Sequence, residues 1–505
     1  MSLVAPFVVG LLCAAAGSDG HTPGTFAFPY RGLKVNGPMT PGGDVASVDG
    51  KPRAEIVGGR WVVYMADQDS DGVVELYRFA QRDRSVRKLN GPLVAGGDVR
   101  EFQVSPDGMR VVYRADQDAD EQLELYSVPV SGGIAVRLNG PMVANGDVHA
   151  DVDYAISSDS QRVVYRSDEL TDGEFALFSV PIGGGTPAQL SPASGVPSAG
   201  FQITADATRV VFEIGLTEVW TVPIGGGSPV LLTPGASEVD TVIVTPDSAR
   251  VVYHTRDQLV PSLQPGAVYS VPIDGGTTVQ VLDSLLDEEA LTLSIAPDSS
   301  RLVFVRSNHV YTVAPGGGPL TLIVNPFWQL WGAPRITPDS QHVVFIDGVG
   351  LRNRWAFSTS IDVPTRVRLS DMDNVEDIAL SPDSGSVACT YEGLDWALTC
   401  TSITSEFPAF LGRGGAVVDF DFAWDSREVV ILGSRTGPIQ ELYSVSLDGE
   451  DVQPLSPPSV AGGDVTGFVV GGGPLVLYRA DQDTDNVFEL YLIHLPLVHY
   501  PPVGD

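Results

Sequence analysis

A turn motif that returns ten times constrains this chain more than any other feature. In its clearest form it reads [ST]-P-D-[SG]. It recurs at Asp107, Asp159, Asp206, Asp247, Asp298, Asp339, Asp383 and Asp425, with degenerate copies at Gly59 and Gly473. Successive landmarks lie 48, 52, 47, 41, 51, 41, 44, 42 and 48 residues apart. A period of that size marks a repeat architecture, in which a unit buries its apolar surface only against its neighbours. One period, Asp98 to Val148, holds four short β-prone runs: Val99–Val104, Met109–Arg114, Leu123–Val128 and Ile134–Leu138. Ser105-Pro106-Asp107-Gly108 suits a type I turn, and Gly132-Gly133 supplies positive φ between the third and fourth runs. Each period therefore encodes a four-stranded antiparallel sheet.

The second run of each sheet is apolar at successive positions, as in Val251-Val252-Tyr253, Val343-Val344-Phe345 and Val429-Val430-Ile431. Strands buried on both faces read this way, and sheets stacked face to face in a circle bury both. The expected fold class is all-β, a β-propeller of about ten blades in one closed ring. Two smaller propellers are the alternative, although no Pro/Ser-rich linker interrupts the spacing. The last repeat supplies only three strands before Pro496, Pro501 and Pro502, and Arg31–Val35 is a fourth strand without the other three. Their pairing would close the ring and leave no open sheet edge. The blades beside this seam are near copies: YRADQDTDNVFELY at Tyr478–Tyr491, YMADQDSDGVVELY at Tyr64–Tyr77 and YRADQDADEQLELY at Tyr113–Tyr126. The organisation read from the chain is a leader at 1–20, a propeller at 31–493 and a tail at 494–505.

Lys+Arg 30 against Asp+Glu 63 gives a net charge of −33, with lysine only at 34, 51 and 88. That field repels phosphate backbones and anionic headgroups, so nucleic acid is excluded as a partner. The run from Leu3 to Cys13, followed by Ala14-Ala15-Ala16-Gly17, resembles a cleaved export signal and is too short to span a membrane. Leu12 is bulky where a lipoprotein signal needs a small residue, so anchoring through Cys13 fits poorly. No later stretch suits a transmembrane helix, so membrane insertion is not expected and the protein is placed in the periplasm or outside the cell. A hairpin centred between Leu394 and Asp395 would set Cys389 opposite Cys400, within disulfide reach in an oxidising compartment. Two unrelated buried thiols are the other reading.

The [ST]-P-D-[SG] turn, the V-V-[YF] strand, L-Y-S-V-P and the G-G turn together resemble the TolB-type, WD-like propeller repeat of bacterial envelope proteins. The resemblance covers roughly residues 31 to 493 and implies an exported propeller that works by binding a partner. Similar repeats also precede serine-peptidase domains, but this chain has no G-x-S-x-G nucleophile elbow.

Chemistry concentrates between second and third strands. Asp67, Asp69, Asp71 and Glu75 form D-x-D-x-D-G-x-x-E; Asp116, Asp118, Asp120 and Glu124 repeat it, as do Asp481, Asp483, Asp485 and Glu489. Carboxylates at alternate positions of a tight loop can converge on a hard cation, and calcium takes six to eight oxygens in such a cage. Glu121 and Asn486 replace the turn glycine, and blade three has Leu170 and Ala176 at ligand positions, so its loop should be empty. Asp44, Asp98, Asp147 and Asp464, each preceding a first strand, share a face with these loops in a meander. Solvated polar turns are the alternative to calcium. Trp328 and Trp331 either line a pocket for a sugar or peptide or pack between blades.

These residues support an exported, non-catalytic scaffold, possible to stabilise with calcium, that presents loops to a protein or glycan. The alternative is a propeller lyase or hydrolase with a metal-dependent site in the central channel, so whether the chain is an enzyme stays open. No catalytic residue is assigned.

Overall fold

The computed structural model describes residues 32–148, 154–192, 197–256, 266–285, 292–326, 328–350, 353–370, 372–391, 398–405, 408–411, 416–434 and 439–495. The leader at 1–20 with Cys13, and the tail beyond 495, lie outside the described residues. The chain is an all-β propeller of ten four-stranded antiparallel sheets in a ring. Blade one comprises Ala54–Val57, Trp61–Ala66, Glu75–Ala80 and Ser85–Lys88. Blade two comprises Val99–Val104, Arg110–Ala115, Glu124–Pro129 and Val136–Arg137. Blades three to nine repeat that order, and blade ten takes Val465–Val470, Leu475–Ala480 and Glu489–His494 from the chain's end and Leu33–Lys34 from its beginning. At this seam Leu33 pairs with Leu492 and Lys34 with Tyr491, and Val35 N donates to Leu490 O at 2.8 Å.

The core is not one mass but a series of interfaces between sheets. Val57, Val63 and Met65 of blade one pack with Val111 and Tyr113 of blade two, while Val62, Tyr64 and Phe79 on the opposite side meet Leu475, Leu477 and Leu490 of blade ten. Successive residues of one strand thus serve different interfaces, which explains the unbroken apolar runs. Cross-strand aromatic pairs brace most blades: Tyr64–Tyr77, Tyr113–Tyr126, Tyr253–Tyr269 and Tyr478–Tyr491 stack with ring centroids 5.3 to 5.5 Å apart. First strands of neighbouring blades are bridged by side chains, as when Gln103 Nε2 donates to Tyr154 O at 3.0 Å and Gln202 Nε2 to Val242 O at 2.8 Å.

The recurring turn closes as its sequence requires, with Gly108 N donating to Ser105 O at 2.7 Å. It also ties blades together. Where a copy ends in serine, that serine adopts positive φ and its hydroxyl accepts from the preceding blade's turn: Ser160 from Asp107 N, Ser299 from Asp247 N, Ser340 from Asp298 N and Ser426 from Asp383 N, at 2.8 to 3.1 Å. Between the seam and blade one the structure adds a two-residue hairpin, Ser47–Val48 against Lys51–Pro52. Asp49-Gly50 turns it with φ 50 and 83, the dipeptide that a mirror-image hairpin turn demands. Lys51 carries it to Asp419 of blade nine, 2.7 Å away.

One expectation is overturned. Cys389 pairs with Thr399, and Cys400 with Ala388, one residue away from the register that would set the cysteines opposite each other. A one-residue slip sends side chains to opposite faces. Cys389 accordingly packs with Val344 and Ile346 of blade seven and Cys400 with Val429 and Ile431 of blade nine, both as free thiols. Burial pushes the Cys389 thiol far up and the Cys400 thiol to about 12. Both are expected to resist thiol reagents in the native protein and to react after unfolding without reductant. A disulfide between them on a non-reducing gel would contradict this packing.

Candidate functional site

The acidic loops assemble around the seam, and their carboxylates have separate duties. The first aspartate of each loop holds backbone. Asp67 Oδ1 accepts from Asp44 N at 2.5 Å and Oδ2 from Gly72 N at 2.9 Å; Asp481 does the same for Asp464 N and Asn486 N. Asp116 accepts from Asp98 N at 2.5 Å. The turn position is left-handed in every copy, Gly72 at φ 76 and Glu121 and Asn486 each at φ 59.

The aspartate before each first strand then reaches the neighbouring blade. Asp44 Oδ1 accepts from Phe488 N at 2.6 Å, Asp98 from Val74 N at 2.8 Å, Asp147 from Leu123 N at 2.6 Å and Asp464 from Gln440 N at 2.8 Å. Burial pushes the carboxyls of Asp44 and Asp147 up, against the lowering influence of those N–H groups. The paired glycines of G-G-D-V are required by close approach. A Cβ at Gly43, Gly97 or Gly463 would lie 2.4 to 2.8 Å from the carbonyl oxygen of Asp67, Asp116 or Asp481.

The ninth-position glutamates converge on cations, but the cations belong to the chain. Lys88 Nζ lies 2.5 Å from Glu75 and 2.8 Å from Asp69. Lys34 contacts Glu489 and lies 3.9 Å from Asp483, and Arg137 Nη1 lies 2.8 Å from Glu124. Each basic residue sits on a fourth strand, directly before the Leu/Val-Asn-Gly-Pro that follows it. Tyr77, Tyr126 and Tyr491 donate their hydroxyls to the same glutamates at 2.7 to 2.9 Å. Asp69, Asp118 and Asp483 are exposed, as are Asp71, Asp120 and Asp485, which lie over Gly42, Gly96 and Gly462. Among the described residues no three His, Cys, Asp or Glu side chains form a group that could hold a metal ion. In blade three Asp168 keeps only the backbone role, accepting from Asp147 N and Gly173 N.

Two structural residues escaped the sequence reading. The glutamine between the first two aspartates is buried and reaches back: Gln68 Oε1 accepts from Gly37 N at 3.1 Å and from the Tyr64 hydroxyl at 2.9 Å, and Gln117 accepts from Gly91 N at 2.8 Å. The asparagine of N-G-P caps the adjoining third strand of its own blade, Asn36 for Leu490 N, Asn90 for Leu76 N and Asn139 for Leu125 N, at 2.8 to 2.9 Å. The signal was the co-occurrence of D-Q-D, L-N-G-P and G-G-D-V in the same repeats.

Blade seven offers a different surface. Its strands are Gln329–Ile336, His342–Gly348, Arg354–Ser360 and Val367–Arg368. Trp328, 47% exposed, lies against Trp355 with centroids 5.3 Å apart, and the Arg368 guanidinium stands 5.4 Å over Trp355. Trp355 packs with the cluster shared with blade six, and Trp331 with the one shared with blade eight. Asn308 of blade six fixes this edge, donating to Trp328 O and accepting from Leu330 N, each at 2.7 Å. On the other side a cavity of about 180 Å³ lies between blades seven and eight.

No protein-family model matches the sequence, and no curated protein matches it. Among solved structures, the chain is similar to a eukaryotic initiation factor at 10% identity, over 78% of this chain and 96% of that one, with a TM-score of 0.51. It is also similar to an oligogalacturonate lyase in complex with manganese, at 13% identity over 81% and 97% of the two chains, TM-score 0.39. An oligogalacturonate lyase from Vibrio parahaemolyticus aligns at 12% identity over 80% and 100%, again at 0.39. The likeness is one of fold.

The latch makes a charge-specific prediction. Asp44→Asn keeps an acceptor for Phe488 N and removes a charge near Asp67 and Asp481, so it is expected to be neutral or stabilising at pH 7. A carboxyl whose folded pKa is raised contributes stability below its unfolded pKa and loses it as pH rises through the folded value, so the gain should vanish in acid. Asp44→Ala leaves the half-buried Phe488 N–H unpaired and should cost about 1 kcal/mol in thermal or denaturant unfolding. Equal losses for both variants would contradict the assignment.

Proposed function

We propose that this protein is an exported, non-catalytic propeller of the TolB-like type that binds a protein or a glycan through blade seven. The observation that carries the reading is the half-exposed Trp328 on Trp355 with Arg368 above it. Tryptophan and arginine dominate binding energy where they occur together on an accessible surface, and aromatic faces serve sugars and peptides equally. The net charge of −33 directs the surface toward neutral or cationic ligands. A lyase or hydrolase acting through a channel metal is the competing reading, and turnover of a bound glycan would reveal it.

Purified protein screened against glycan and peptide arrays is the direct test. A ligand should emerge whose affinity falls at least about tenfold in Trp328→Ala, the equivalent of about 1.4 kcal/mol, without being consumed. A ligand indifferent to Trp328 and Trp355, or converted to product, would contradict the proposal.

Calcium enters this reading as an occupant of the exposed carboxylates Asp69, Asp71, Asp118, Asp120, Asp483 and Asp485, in competition with Lys88, Arg137 and Lys34. At an affinity of about 10⁻⁴–10⁻³ M, millimolar calcium would add about 0.4–1.4 kcal/mol per site. Lys88→Met should lower stability in EDTA by about 1–3 kcal/mol, because Glu75 loses its charged partner, and calcium should restore part of it. A melting temperature that calcium leaves unchanged in both proteins would remove calcium from the account.

A further inference from the structure

We propose that the cavity between blades seven and eight is a subsite for one neutral pyranose ring. The proposal rests on the reading of blade seven as a ligand-binding surface and narrows it to a chemical class.

The cavity is built into the backbone. Trp331 pairs with Ile346 and Arg335 with Val344, so five residues of the first strand oppose three of the second, and the first strand carries two residues more than its partner needs. Gly332, at φ 69, and Pro334 carry the chain out of the ladder between them. Among the described residues, five other blades bulge by a single residue at the corresponding place, as between Val99 and Glu101, Val239 and Thr241, and Val375 and Asp377. Wider bulges re-aim side chains and open space beside a strand. Blade four shares the two-residue excess, between Pro197 and Phe201, but blade seven places a tryptophan beside it.

The lining defines the guest. Trp331 borders the cavity, and its indole Nε1–H is shielded from solvent without an acceptor. Arg335 pairs with Asp377 at 2.6 Å and also donates to Ile378 O, while the Arg354 guanidinium stands 5.2 Å over the Trp331 ring. With the exposed Glu376 the walls hold two cations and two carboxylates, so an ionic guest meets no net attraction. A hydroxyl both donates and accepts, and an array of ring hydroxyls matches alternating guanidinium and carboxylate groups. Buried Ile346 and Ile378 add an apolar side for ring C–H groups. At about 180 Å³ the space falls below the roughly 300 Å³ where drug-sized sites begin, so it takes one ring and not an oligomer.

Saturation-transfer NMR on the intact chain tests this with glucose, galactose, mannose and N-acetylglucosamine, alongside glucuronate, glucosamine and an N-acetylglutamine amide. At least one neutral sugar is expected to bind with a Kd of about 1 mM, weakened about fivefold or more by Trp331→Phe and by Glu376→Gln. Trp331→Phe keeps a ring in the core and shortens the aromatic wall of the cavity; Glu376→Gln alters an exposed side chain, so loss of fold does not blur both variants. Absence of binding by every neutral sugar overturns the proposal, as does preference for a charged sugar or for the amide. Binding indifferent to both cavity variants overturns it too. If a larger ligand depends on Trp328 while neither cavity variant weakens it, the subsite falls and the blade-seven reading stands.

Discussion

A sheet with two apolar faces needs a neighbour on each side, and a linear chain of such sheets always leaves two faces bare. Only closure removes that cost. The ten sheets here bury both sides of nearly every second strand, with Val62, Val63 and Tyr64 at 0% exposure beside the seam itself. At about 25 cal/mol per Å² of apolar surface, each interface left open would be strongly unfavourable. The contact between Leu33–Lys34 and Glu489–His494 is short. What lies around it is not: Asn36 caps Leu490 N, Asp44 receives Phe488 N, and the Arg479 guanidinium donates to Val45 O at 2.7 Å while covering the Phe488 ring. Sequence-distant ends are joined by the same device that joins every pair of adjacent blades in this sector.

That device gives the acidic loops a structural duty. Aspartates at alternate positions suit a cation cage by their spacing. In three dimensions the odd positions diverge: the first turns inward to backbone N–H groups, the third and fifth face water, and the glutamate meets a lysine or arginine from the fourth strand. A chain with three lysines has placed two of them against these glutamates and the third between the added hairpin and blade nine. Buried carboxylates in so acidic a protein require such partners, because unpaired burial of a charge is prohibitive.

The architecture was legible because it rests on periodic signals. Turn spacing, apolar runs and the incomplete first and last repeats are all local patterns summed along the chain. The register at Cys389 was not legible, because the loop between its strands sets the pairing and one residue reverses the outcome. The Asp49-Gly50 hairpin was readable in principle from its dipeptide, yet its strands are too short to show alternation. The functions of Gln68, Asn90 and Lys88 lay out of reach for a different reason: each acts on a group 13 to 31 residues away. The blade-seven surface carried only a weak trace, two tryptophans with Gly332 and Pro334 inside a strand-like run.

Closure is tested most directly by a cross-link at the seam. In a background lacking Cys13, Cys389 and Cys400, cysteines placed at Leu33 and Leu492 sit on directly paired strands, at a Cα separation of about 4.5–5.5 Å that suits a disulfide. The account predicts an intramolecular bond that forms under mild oxidation and raises the melting temperature. Free thiols, or bonds formed only between molecules, would contradict a ring closed by its first strand.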